Sequence, residues 1–148
     1  MPASRSPRDD RATTAMAAVR EVYGQLAARP VERNCIRRTE CCQFRHTGNT
    51  PWLTDAEAVL AVKAFRATGR TRLPDPADGS CPMLDQRTGR CLIYADRPFA
   101  CRTHFCEAAG GPYTRREVLD LIRRLEVISA VLGGDGPRPI AGALSAYM

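Results

Sequence analysis

The feature that most constrains this chain of 148 residues is the placement of its seven cysteines in two separate groups. The first group lies in one short run and the second in the stretch 81–106: Cys35, Cys41 and Cys42, then Cys81, Cys91, Cys101 and Cys106. An odd number of thiols cannot all pair within one chain, and the N-terminus shows no apolar export signal. In a reducing cytoplasm, cysteines at this density favour metal ligation over disulfides. We therefore predict a cytoplasmic protein in which the two groups are the halves of a metal site.

Length and charge limit the other function classes. A chain of this size fits one domain with a modest core, and no apolar run approaches the roughly 20 residues of a membrane helix. The net charge of +6 raises the question of nucleic-acid binding. Several arginines, however, flank the cysteines, where they can offset the charge of thiolate ligands: Arg37, Arg38, Arg45, Arg90, Arg97 and Arg102. This interpretation disfavours nucleic acid as a partner and leaves a protein partner open.

The predicted fold is mainly α, a small single domain with three to four helices around an irregular cysteine-rich metal site and one short β-hairpin. We predict a disordered tail at residues 1–9 and a single cysteine-cluster metal-binding domain at residues 10–148, with its motif core at 35–106. The last segment, from residue 137 onwards, permits either a short helix or a strap over the core.

Three longer helices follow from apolar spacing and capping signals. The first spans 10–29 and stops before a proline. Capping boxes that start at Thr54 and Thr114 open two more helices, which end at Gly69 and Gly133. On the last of these helices seven apolar residues are predicted to face the core: Val118, Leu121, Ile122, Leu125, Ile128, Val131 and Leu132.

The stretch 81–94 predicts a hairpin that turns at Gln-Arg-Thr-Gly. With Gly89 in the left-handed conformation, Asp85 would face Cys91, and Cys81 would lie about 13 Å further along the ladder. Metal–sulfur bonds are only about 2.3 Å long, so one ion could not bind both cysteines in that register. Either the strand breaks directly after Cys81, or the two cysteines serve different metals.

A helical turn that begins at Pro98 is predicted to carry Cys101. Cys106 lies five residues further on, about 140° out of phase on a continuous helix. If both cysteines bind one ion, the helix must end near Thr103 or His104.

The ligand inventory permits more than one kind of centre. Seven cysteines and one histidine would supply two four-coordinate zinc ions, whereas four cysteines alone suffice for one [4Fe-4S] cluster. His104, between two cysteines, is the better candidate for an eighth ligand, and His46 is as readily solvated as ligating. For any single cysteine, Cys42 above all, burial as a small apolar residue is the alternative. No Cys-x-x-Cys occurs, which disfavours an ordinary zinc ribbon.

Several short motifs resemble a known family. They are Cys81-Pro-Met-Leu, Cys91-Leu-Ile-Tyr, Arg97-Pro, Cys101-Arg and Cys106, together with the upstream cysteines. This pattern closely resembles the bacterial YkgJ-like cysteine-cluster family, which is described as a zinc- or iron-chelating CxxCxxCC domain. The resemblance covers about residues 35–106 and implies metal chelation. Arg38 stands where the family pattern has its second cysteine, so a histidine, water or a different ligand set would replace that ligand.

The leading functional hypothesis is a metal-binding protein that chelates zinc or iron, with an iron–sulfur cluster as one form of the centre. The alternative is an iron–sulfur enzyme or electron-transfer component that acts on a protein or a small molecule. No combination of nucleophile, base and orienting acid stands out, and no phosphate-binding loop is present, so the sequence assigns no catalytic residues.

Overall fold

A computed structural model describes residues 6–29, 50–76, 80–85, 87–103 and 113–148. These residues form five α-helices, a 3-10 turn at Tyr94–Asp96 and two short strands. The helices and strands are α1 (Pro7–Ala27), β1 (Trp52–Leu53), α2 (Asp55–Ala67), α3 (Phe99–Thr103), α4 (Arg115–Val131), β2 (Arg138–Pro139) and α5 (Ile140–Ser145). The predicted mainly α class with one short antiparallel β element is confirmed, with five helices among the described residues where three to four were predicted. The two strands lie far apart in sequence and are not the hairpin predicted at 81–94. None of these helices combines the length and apolar character needed to cross a bilayer.

Capping boxes begin the three long helices. Those at Thr54 and Thr114 are confirmed, since each threonine hydroxyl accepts from the backbone N–H three residues on. A third box begins α1, where Ser6 Oγ accepts from the Asp9 N–H at 3.2 Å. Because Ser6 caps and Pro7 occupies the first helical position, α1 starts three residues before the predicted Asp10. Residues 7–9 are therefore helical rather than part of a disordered tail.

Helices α1, α2 and α4 pack against one another around a first apolar cluster. Its buried members include Val19, Val22, Leu26, Ala56, Leu60, Phe99, Val118, Leu121 and Leu125. Ile122, Ile128 and Leu132 pack partly buried at its edge, but Val131 is 59% exposed, so its predicted inward position was wrong. The buried residue near this end of α4 is instead Ser129, whose hydroxyl accepts from the Ala56 N–H at 3.3 Å. A polar residue fits here because the first turn of α2 presents an N–H that needs an acceptor.

The opposite face of α2 supports a second apolar cluster, which contains two of the cysteine positions. Its buried members are Leu53, Ala58, Ala61, Val62, Phe65, Cys81, Met83, Leu84, Ile93, Ile140, Ala143 and Leu144, and Cys91 packs partly buried against them. Helix α2 is therefore covered on both sides. The cysteine-bearing segment and the C-terminal helix α5 meet on its second face.

The two strands join distant parts of the chain. Trp52 pairs with Pro139 and Leu53 with Arg138 in an antiparallel register, and the Ile140 N–H donates to the Pro51 carbonyl at 3.0 Å. This pairing sets the start of α5. Of the two forms that the sequence left open for the C-terminal segment, the structure has the short helix.

A buried carboxylate holds the same C-terminal segment against α2. Asp55, the first residue of α2, is 3% exposed and forms an ion pair with Arg138. Asp55 also accepts hydrogen bonds from the Asp135 N–H at 3.1 Å and from the Tyr147 hydroxyl. Burial, and then the hydrogen bond to Asp55, raise the pKa of Tyr147. Burying a carboxylate is costly unless it is paired and hydrogen-bonded, as Asp55 is. Residues 134–138 therefore have a fixed path over the start of α2.

Candidate metal centre

Cys91 lies on a tight turn rather than on a long hairpin. Leu84 and Cys91 form a single antiparallel bridge, which the Asp85 N–H extends by donating to the Arg90 carbonyl at 2.8 Å. Gly89 has the predicted left-handed conformation, with φ +70°. The pairing register differs by one residue from the predicted register. The Gly89 N–H donates to the Asp85 carbonyl, and the loop has four residues where the predicted pairing leaves a shorter one. Leu84, not Asp85, therefore faces Cys91.

Cys81 leaves the ladder at once. The Leu84 N–H donates to the Cys81 carbonyl at 3.0 Å, so residues 81–84 form a turn. Of the two predicted alternatives, the structure shows the break directly after Cys81. Cys81 is 4% exposed and belongs to the second apolar cluster, against which Cys91 also packs. The separation of about 13 Å that an unbroken strand would impose therefore does not apply.

Cys101 lies on the short helix α3, which begins at Phe99, one residue later than predicted. Both the Cys101 and Arg102 N–H groups donate to the Pro98 carbonyl, at 3.0 and 3.1 Å. The Arg102 guanidinium donates backwards to the carbonyls of Arg97 and Ala95, at 2.7 Å each. The turn before α3 and the helix itself are thereby held together, and Cys101 on this helix is half-buried.

Positive charge is concentrated at this place. The Arg102 guanidinium lies 4.0 Å from the centre of the Tyr23 ring, and the Arg97 guanidinium lies 4.2 Å from that of Tyr94. Burial, and then the charge of Arg97, lower the pKa of Arg102, whereas Tyr23, Asp96 and Cys101 act in the opposite direction. A neighbouring guanidinium favours the thiolate form of a cysteine. The position of Arg102 is consistent with the interpretation that these arginines offset thiolate charge.

The 3-10 turn before α3 is tied to α1. Arg20 on α1 donates through two nitrogens to the two carboxylate oxygens of Asp96, at 3.1 and 3.2 Å. This two-point pairing fixes orientation as well as distance. The segment that carries Cys101 is thus attached to the helical core on the side of α1.

Sequence reasoning assigned Glu57 only a capping role, but its carboxylate also contacts α1 and α3. It is 3% exposed, and its Oε1 accepts from the Tyr23 hydroxyl at 3.0 Å and from the Phe99 N–H at 2.8 Å. Burial and then the charge of Glu57 raise the pKa of Tyr23 well above its ordinary value. A capping glutamate is usually at the surface. No feature of the sequence distinguishes a capping glutamate that is buried in this way from one that faces water.

A cleft of about 450 Å³ runs beside α3. Ala100 and Thr103 of α3 line it, together with the aromatic side chains of Trp52, Phe99 and Tyr113. Arg115 and Glu126 supply charged groups to its lining. Clefts of this size and apolar character accommodate small molecules.

Comparison with known families decides the general identity of the chain. Residues 34–119 match the profile of the CxxCxxCC family, "Putative zinc- or iron-chelating domain". The chain belongs to the CxxCxxCC family. The matched residues include all seven cysteines, so the predicted resemblance to this kind of domain is confirmed, and zinc or iron binding is its general function. No curated protein and no solved structure matches the chain.

The described part of this CxxCxxCC domain contains three of the predicted thiolate donors. Thiolates are suitable ligands for zinc and for iron–sulfur centres, so Cys81, Cys91 and Cys101 fit both metals in chemical type. Among the described residues, no three His, Cys, Asp or Glu side chains lie close enough together to hold a metal ion. The other predicted ligands lie outside the described residues: Cys35, Cys41, Cys42, Cys106 and His104. So do His46 and Arg38, the position at which the family pattern has a cysteine. The complete ligand set stays a prediction.

Proposed function

We propose that this CxxCxxCC protein chelates zinc or iron in the reducing cytoplasm through thiolates from both cysteine groups. The observation that supports the proposal most is the environment of Cys101, a half-buried cysteine on an anchored turn beside the guanidinium of Arg102. An arginine held in this way lowers the free-energy cost of placing thiolates together. The proposed ligands are Cys35, Cys41, Cys42, Cys81, Cys91, Cys101 and Cys106, with His104 as the candidate eighth.

The contacts around Cys81, Cys91 and Cys101 support the proposed site in different ways. The bridge at Leu84 and Cys91 and the start of α3 hold two ligands on hydrogen-bonded backbone. The second apolar cluster surrounds Cys81 and limits its exposure to water. The metal would crosslink the upstream cysteines to the stretch 81–106, and ligation of this kind supplies folding free energy.

An iron–sulfur centre with an enzymatic or electron-transfer role is the second candidate. The cleft beside α3 favours it, since Ala100 and Thr103 line a space of about 450 Å³ next to the helix that carries Cys101. A small substrate in that cleft would lie close to the centre. Absorption from thiolate-to-iron charge transfer, together with acid-labile sulfide, distinguishes this form from colourless zinc protein.

Metal analysis of protein purified without oxygen tests the proposal. We expect stoichiometric zinc, or iron with sulfide, and we expect removal of the metal by a chelator to unfold much of the chain. Cys101→Ser should lower the metal content well below that of the wild type. The matched control is Thr103→Ser on the same helix, which retains a hydroxyl for the Ala100 carbonyl and should keep the metal. A metal-free preparation that melts cooperatively, at a temperature that added metal does not change, would contradict the proposal.

A further inference from the structure

Glu57 makes more contacts than a capping residue needs. Its Oε2 accepts from the Thr54 N–H at 3.0 Å and from the Thr54 hydroxyl at 2.9 Å, which completes the capping box. Its Oε1 accepts from the Tyr23 hydroxyl and from the Phe99 N–H. A carboxylate offers about four lone-pair sites, so four donors satisfy it fully, as its burial requires.

These contacts reach Cys101 from both sides along the chain. The Phe99 N–H belongs to the first residue of α3, two residues before Cys101, and it is fixed directly by Glu57. Tyr23, held by Glu57 through its hydroxyl, places its ring against the guanidinium of Arg102, the residue after Cys101. One carboxylate on α2 therefore contacts the backbone before Cys101 directly and, through the Tyr23 ring, supports the position of the Arg102 charge.

We propose that Glu57, with Tyr23 as its intermediate, is a positioning residue for Cys101 as a metal ligand. The proposal rests on the proposed function, because it requires that Cys101 bind the metal. Groups that orient a ligand from behind affect metal affinity even though they do not touch the metal. Glu57 and Tyr23 act in this way, through backbone placement at Phe99 and through the position of the Arg102 charge.

The chain offers a matched control on the same helix turn. Asp55 is also a buried carboxylate in the first turn of α2, but its contacts lie in the C-terminal segment: Asp135, Arg138 and Tyr147. Asp55→Asn and Glu57→Gln each replace one buried carboxylate by an amide of the same shape. The amide nitrogen of glutamine cannot accept, so one of the two donor pairs of Glu57 loses its acceptor. A general loss of stability affects both variants, whereas a loss of ligand position affects Glu57→Gln alone.

The experiment measures the dissociation constant for Zn²⁺ by competition with a chromophoric chelator, under anaerobic reducing conditions, for wild type and variants. We expect Glu57→Gln to weaken binding by about 10–100-fold and Asp55→Asn to change it by less than about threefold. Tyr23→Phe, which keeps the ring against Arg102 and removes only the hydroxyl, should weaken binding by about fivefold. It also serves as the decisive variant if Glu57→Gln does not fold. The absorption spectrum of the Co²⁺-substituted protein should change with Glu57→Gln and not with Asp55→Asn.

The outcomes separate the two proposals. Wild-type protein that binds no Zn²⁺ and purifies without metal overturns the proposed function, and this inference with it. Wild-type protein that binds Zn²⁺, with equal affinities for Glu57→Gln, Tyr23→Phe and Asp55→Asn, overturns the positioning role alone. Urea unfolding of the proteins at saturating Zn²⁺ completes the comparison, because affinity losses that merely follow the loss of folding stability in all three variants also refute it.

Discussion

Replacement of Gly134 by alanine should destabilise the protein although the backbone there is not left-handed. A Cβ at this position would overlap the Asp55 carboxylate and lie 2.6 Å from Ser129 Oγ, so both buried groups would have to move. Breaking a buried ion pair costs about 3–5 kcal/mol. The side chain of Arg138, the partner of Asp55, is 41% exposed, so water weakens this ion pair. The free energy lost when the pair is broken is therefore about 3 kcal/mol or slightly more, at the lower end of the range for buried pairs. Alanine also reduces the entropy of the unfolded chain, by about 0.5–1 kcal/mol, so we expect a net loss of about 2–3 kcal/mol.

Urea unfolding and thermal melting measure this loss, and a Tm lower by about 5–10 °C corresponds to it for a chain of this size. Gly24→Ala is the control, because a Cβ at this exposed position on α1 meets nothing within 4 Å and should stabilise the helix by about 0.5–1 kcal/mol. In an Asp55→Ala/Ser129→Ala background both overlapping oxygens are absent, and Gly134→Ala should then cost less than about 1 kcal/mol. The steric reasoning is refuted if Gly134→Ala is as stable as wild type, or if it costs the same in both backgrounds.

Two further outcomes follow from other sites. Burial and the hydrogen bond to Asp55 raise the pKa of Tyr147 above 10.0, so its contribution to stability is present below that pH and is lost as the pH rises through the raised value. The difference in unfolding free energy between wild type and Tyr147→Phe should therefore shrink from about pH 9 to pH 11, and a constant difference would contradict this. Arg38→Cys restores the cysteine of the family pattern and should raise the affinity for Zn²⁺ about tenfold or more, as measured by chelator competition, with Arg37→Cys next to it as the control. Equal effects of the two changes would show that position 38 is not a ligand position.

The long helices could be predicted from sequence because their signals are local. The capping boxes at Thr54 and Thr114 and the glycines that follow each helix determine start and end within a few residues. The start of α1 was placed too late because Ser6 and Pro7 lie in a polar stretch that also fits a disordered tail. The strand pair of Trp52 with Pro139 has no local signal, since two residues on each side are too few for a period to be visible.

The kind of site, a cysteine-rich metal centre, could be predicted from the sequence, but the contacts that support it could not. Cysteine spacing and the family pattern pointed to metal chelation, and the family match agrees in general function. The roles of Asp55 and Glu57 were not visible, because a capping residue looks the same in sequence whether its carboxylate faces water or a neighbouring helix. The hairpin register differed by one residue because loop length, which the sequence Gln-Arg-Thr-Gly does not determine, sets the pairing.

The arrangement of the second apolar cluster has a consequence for biosynthesis. Cys81 shares this cluster with Ile140, Ala143 and Leu144, which leave the ribosome about 60 residues after it and complete the cluster. At ordinary synthesis rates of about 5–20 residues per second, the nascent chain therefore carries this thiol without its final cover for roughly 3–12 s. During that interval the thiol is open both to metal and to oxidants, and translation speed sets how long the competition lasts.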